Sequence, residues 1–155
     1  MANEQGTQTK ARTGDPLLGF QFEVYFGNST KIGFSRVSNI SLGKTIHAVS
    51  DVGNHRRRYY YRDRDEELRM GHNVLVLERG VSTDESDKLL RKYVAGVNIE
   101  SMTIKILQNG KAVRMLAVNN AVVIKSGFSD LDASQTSVMM RRIEIRHSGI
   151  EEQDV

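Results

Sequence analysis

The stretch best equipped for chemistry is HRRRYYYRDRDEEL, residues 55–68. Guanidinium groups interleaved with tyrosine rings are the groups that grip phosphates and stack on bases. Such binding needs a concentrated positive field. From Arg56 to Glu67, five arginines meet four acids, so much of the charge is paired locally. The whole chain has 22 Lys and Arg against 19 Asp and Glu, a net charge of only +3, too small to argue for nucleic-acid binding by bulk charge. Other reactive types are sparse. His47, His55, His72 and His147 are scattered without metal-ligand spacing. The acidic run TDESD, residues 83–87, lacks the glycine and the distal glutamate of a calcium loop and reads instead as a helix start. There is no cysteine, which removes disulfides and thiolate metal sites. Glycine-rich phosphate loops, HExxH and GxSxG are also missing. The expectation is a protein with no catalytic residues, no cofactor and no metal.

The elements that would carry these residues are mostly strands. At 155 residues the chain suits one domain, and it has enough apolar residues for a core. Residues 1–14 are polar and read as a flexible N-terminal arm, and residues 15–155 as a single domain. The arm has no hydrophobic segment of the signal-peptide kind, and no apolar run is long enough to span a membrane. The two sequons, at Asn28 and Asn39, read as chance matches. In LLGFQFEVYF, Leu18, Phe20, Phe22, Val24 and Phe26 alternate with polar residues, as a half-buried strand requires. HNVLVLERG is apolar on both faces, which predicts burial from both sides.

STDESDKLLRKYVAG breaks the period of two and predicts a helix. Ser82 and Glu85 form its capping box, Leu89, Leu90, Tyr93 and Val94 its packing stripe, and Gly96 its stop. Three strands are expected after it: IESMTIKIL, AVRMLAVNNAVVIKSG and SVMMRRIEIRHSGI. Asn109-Gly110 supplies a hairpin turn between the first two. The fold class is mainly β, an antiparallel sandwich or small barrel with one α-helix and an extended hairpin. That hairpin, ISLGKTIHAV and RRRYYYR about the turn SDVGNH, has little apolar content on either face. It cannot hold itself together in water and needs neighbouring strands. A solvated hairpin on a monomer would leave two polar strand edges unexplained.

The ordered set DPLLGFQFEV, IGFSRVSNI, ERGV before a short helix, NNAVVIKSGFSDLDAS and a closing RIEIRHSGI resembles the tube-protein family of contractile tails. That family builds the inner tube of phage tails, R-type bacteriocins and extracellular contractile injection systems. The resemblance covers about residues 15–150. It implies a homo-hexamer that stacks into tubes, with hairpins joined into a ring-wide barrel around a lumen able to hold cargo. The implied partners are a sheath, a baseplate or spike, and a tail terminator, with no membrane insertion of the subunit. It also implies assembly in the bacterial cytoplasm before release in a particle. The alternative within the family is a tube-initiator paralogue contacting the spike. On this reading Ile46, Ala48, Val49, Arg57, Tyr59 and Tyr61 belong to the subunit interface, and Arg56, Arg58, Tyr60 and Arg62 face the lumen. The alternative from another class is a monomeric nucleic-acid-binding module using Tyr59, Tyr60, Tyr61 and the arginines.

Overall fold

Alternation of apolar and polar residues dictates strands, and the computed structural model of the chain has them. It describes residues 17, 19, 21–44, 46–50, 57–61 and 73–155. Residues 1–16, Leu18, Phe20, Thr45, 51–56 and 62–72 lie outside the described residues, and with them the expected arm and the expected turn SDVGNH beyond Ser50. In chain order the strands are β1 Phe22–Phe26, β2 Thr30–Ile32, β3 Arg36–Ser38, β4 Gly43–Lys44, β5 Ile46–Ser50, β6 Arg57–Tyr61 and β7 Val74–Gly80. The helix α1, Glu85–Leu90, follows, then β8 Asn98–Ile99, β9 Met102–Gln108, β10 Lys111–Asn119, β11 Ala121–Phe128, β12 Met140–Arg146 and β13 Gly149–Asp154.

Two antiparallel sheets pack face to face. One has the order β2-β1-β9-β10-β13-β4, the other β3-β7-β12-β11-β8. The end strands of each do not pair with one another, so of the two expected architectures the sandwich is realised and the closed barrel is not. The core is what alternation delivers. Val24 and Phe26 from β1, Ile104 from β9, Leu75 and Leu77 from β7, and Ile143 and Ile145 from β12 meet between the sheets. Val76, on the opposite face of β7, is also buried at 9% exposure, so this strand is covered on both sides over part of its length.

The expected single strands AVRMLAVNNAVVIKSG and SVMMRRIEIRHSGI are each two strands, one in each sheet. Asn120 causes the first break: at φ 52° it takes the left-handed conformation and turns the chain from one sheet to the other. His147 and Ser148 make the second crossing at the same corner. There the Ser148 N–H donates to the Asn119 carbonyl at 3.0 Å, and Asn120 Nδ2 donates to Ser148 Oγ at 2.8 Å. The Asn109-Gly110 turn is as expected, with φ of 51° and 75°, the signs a two-residue primed turn demands.

The helix is shorter than its sequence pattern, and its cap differs. Asp84, not Ser82, is the N-cap; its side chain accepts from the Asp87 N–H at 2.8 Å. Ser82 stands two residues outside, where its hydroxyl accepts from the Asp84 N–H at 3.5 Å. Leu90 is fully buried, Leu89 is half-buried, and Tyr93 packs edge-on against Phe26 with ring centroids 4.9 Å apart. Val94 departs from the expected stripe: the helix ends at Leu90, the 3.6-residue period lapses, and Val94 is 53% exposed. The helix stops at Leu90 with Arg91 as its C-cap, not at Gly96 as expected; Gly96, at φ 95°, belongs to a later turn, where its N–H donates to the Val123 carbonyl at 2.7 Å.

Candidate assembly interface

Strands β5 and β6 form a two-stranded sheet of their own, without a ladder to either large sheet among the described residues. Their base is tied to the body through β4, whose Lys44 and Gly43 pair with Gly149 and Ile150 of β13. The register sets Ile46 opposite Tyr61, His47 opposite Tyr60, Ala48 opposite Tyr59, Val49 opposite Arg58 and Ser50 opposite Arg57. Directly opposed residues of an antiparallel pair share a face. Ile46, Ala48, Arg57, Tyr59 and Tyr61, all assigned from sequence to the interface, therefore register on one face. Arg58 and Tyr60, assigned to the lumen, register on the other. Val49 departs from its expected group, because its register partner is Arg58. Arg56 and Arg62 lie outside the described residues.

A second open edge lies nearby. Along β13, Gly149 and Ile150 pair with β4, but among the described residues Glu151 to Asp154 pair only with β10. Their backbone N–H and C=O groups on the far side are available to another strand.

The ERGV stretch anchors the helix. Arg79, 7% exposed, places Nη2 at 3.1 and 3.0 Å from the two carboxylate oxygens of Asp84, the N-cap. The Asp87 N–H, then Ser82 and Arg79, hold the Asp84 carboxyl below the usual carboxylate range. On the next strand, Arg141 approaches buried Asp87 with Nε 3.4 Å from Oδ1. That distance makes an ion pair, yet those two atoms lack hydrogen-bond geometry, so their attraction is Coulombic; Nη2 and Oδ2, also 3.4 Å apart, form the pair's hydrogen bond. The Arg141 guanidinium also stacks on the Phe128 ring, 4.7 Å from its centroid.

Among the described residues no group of His, Asp and Glu could hold a metal ion. His147 is 1% exposed, neither ring nitrogen has a hydrogen-bond partner among the described residues, and burial pushes it below the usual imidazole range, as suits a neutral core group. No helix among the described residues is long and apolar enough to cross a membrane.

Sequence reasoning passed over one surface. Phe128, Leu131 and Val138, at and beyond the β11–β12 connection, are 54%, 79% and 70% exposed. The available signal was the pair Leu131 and Val138, large aliphatics in the mostly polar SDLDASQTSV.

The family model described as T4-like virus tail tube protein gp19 matches residues 18–151. No curated protein sequence matches. Among solved structures, a chain in the baseplate of the anti-feeding prophage is 23% identical with a TM-score of 0.59, covering 91% of this chain and 97% of that one. A chain of the PVC sheath–tube complex in its extended state is 17% identical at a TM-score of 0.65, with 92% and 95% covered. A chain of the tube-terminating cap of the anti-feeding prophage is 14% identical at 0.64, with 97% and 99% covered. At these identities the likenesses carry the fold.

Proposed function

This chain belongs to the T4-like tail tube protein family, and we propose that it is a structural subunit of the inner tube of a contractile tail or injection particle. Six copies form a ring, and rings stack into a tube with a lumen for cargo. One observation carries the reading: among the described residues, β5 and β6 form a separate two-stranded sheet with no ladder to either large sheet. A lone hairpin is marginal in water, and its open edges are completed by strands from neighbouring copies. The edge of β13 from Glu151 to Asp154, which among the described residues pairs only with β10, is a matching acceptor. Sheet closure around the ring removes every open edge.

In this assembly Ile46, Ala48, Arg57, Tyr59 and Tyr61 face the protein body, and Arg56, Arg58, Tyr60 and Arg62 face the lumen. The role is mechanical and non-enzymatic. Sheath, baseplate or spike, and tube terminator are the partners; the neighbours from a baseplate, a sheath–tube complex and a tube cap support this set. The subunit is assembled in the bacterial cytoplasm and leaves it as part of a phage tail or released particle. Deleting residues 50–58 tests the reading. The expected product is a folded, soluble body that sediments as a monomer, while the full chain forms rings or tubes in negative stain. Rings from the deleted protein would remove the hairpin from the interface.

A further inference from the structure

The segment between β11 and β12, residues 129–139, is a built loop. The Ser129 N–H donates to the Met140 carbonyl at 2.8 Å, and the Met140 N–H returns to Ser129 Oγ at 2.9 Å. Inside the loop, the Ser134 N–H and Oγ both donate to Asp132 Oδ1, at 2.9 and 2.6 Å. This ordered frame holds Leu131 and Val138 out in water at 79% and 70% exposure, with Phe128 beside them at 54%. Single exposed aliphatics are ordinary, but several gathered on one ordered loop mark a contact surface. The loop also carries Asp130 and Asp132 and no basic residue.

A complementary surface lies elsewhere on the chain. Between edge strand β3 and the other sheet is a pocket of about 240 Å³ with walls of Phe22, Val37, Ile40, Ile104, Ile106 and Leu116. An apolar cavity of roughly 150 Å³ accepts a benzene ring, so this one admits an aliphatic side chain. Of these walls Ile40 is 44% exposed, so the apolar lining reaches the surface. Arg36 supplies a cation to the lining; its side chain is 70% exposed and its Nη1 lies 3.9 Å from Glu78 Oε2, a loose pair that leaves the guanidinium open to a second carboxylate.

We propose that the 129–139 loop of one copy docks in the β3 pocket of the next, with Leu131 seated among the apolar walls and Asp130 facing Arg36. The two surfaces are distinct patches of one chain: β7 and β12 separate β3 from β11 in the sheet, and the loop residues are not among the pocket walls. The contact is therefore head-to-tail, the kind that propagates from copy to copy. It rests on the tube reading and gives that assembly a second contact, independent of the hairpin.

The absence of native cysteine makes the test direct. The full chain carrying Leu131→Cys and Ile40→Cys is oxidised and run on a non-reducing gel. A ladder of cross-linked species is expected, with none from a control pair of Leu131→Cys and Thr83→Cys. Leu131→Asp, at a solvent-exposed position, should keep the fold by circular dichroism and lower the sedimenting mass of the assemblies. If the native chain forms rings or tubes, but the Leu131–Ile40 pair gives no ladder or the control ladders equally, this contact is wrong and the tube reading stands. A native chain that stays monomeric at every concentration removes both.

Discussion

Asp87 and Arg141 carry opposite charges into the interior, at 3% and 6% exposure. Removing one member of a buried pair leaves the other charge without compensation, which costs about 3–5 kcal/mol. Asp87→Ala should lower stability by that amount, read from the denaturant midpoint at constant slope. Replacing both residues by apolar ones of similar size should recover most of it. His147 gives the chain a pH dependence of predictable sign. Burial lowers its folded pKa below the unfolded value, so below about 6.5 the unfolded state binds the proton more readily. The stabilising effect of the neutral ring is complete above that pH and is lost as pH falls toward the folded pKa. The native chain should lose more stability between pH 7 and 5.5 than His147→Gln; equal losses would place the acid sensitivity on other groups.

At the scale of elements, the corner at Asn119 and Asn120 decides which strand joins which sheet. Asn120→Ala removes a residue type that tolerates the left-handed region, at a cost of about 1–2 kcal/mol, together with the bond from Nδ2 to Ser148. An unchanged unfolding midpoint would show that the corner relaxes freely. The same corner explains what could be read in advance. Alternation from Phe22 to Phe26 was legible because a half-buried strand must repeat every two residues. The sheet change within AVRMLAVNNAVVIKSG was not, because two apolar strands joined by a single backbone angle look like one. The helix cap lies at Asp84 and not Ser82 although both are good caps; Arg79 reaches both, but only Asp84 meets it as an ion pair. The hairpin was legible as a segment that could not stand alone. Its division into faces required the register, which groups Val49 with Arg58.

For the whole molecule, the small net charge of +3 conceals how charge would be distributed in a ring. If Arg56, Arg58 and Arg62 face inward, each copy adds them to the same narrow space, and repetition around the ring makes a dense positive lining. Low-dielectric walls concentrate that field, so the lining favours acidic cargo without reading its sequence. Changing Arg56, Arg58 and Arg62 together to Glu should leave ring and tube formation intact in negative stain. The same change should abolish retention of a polyglutamate probe that the native tube holds at low salt. For the native tube, retention should fall steeply with added salt, because screening shortens the reach of the lining to about 10 Å at 0.1 M. Arg57 registers on the other face of the hairpin, opposite Ser50, so Arg57→Glu should act oppositely, weakening assembly while leaving the probe bound in whatever tubes form. Loss of rings from the triple change, with Arg57→Glu silent, would reverse the two faces and move the three arginines into the contact between subunits.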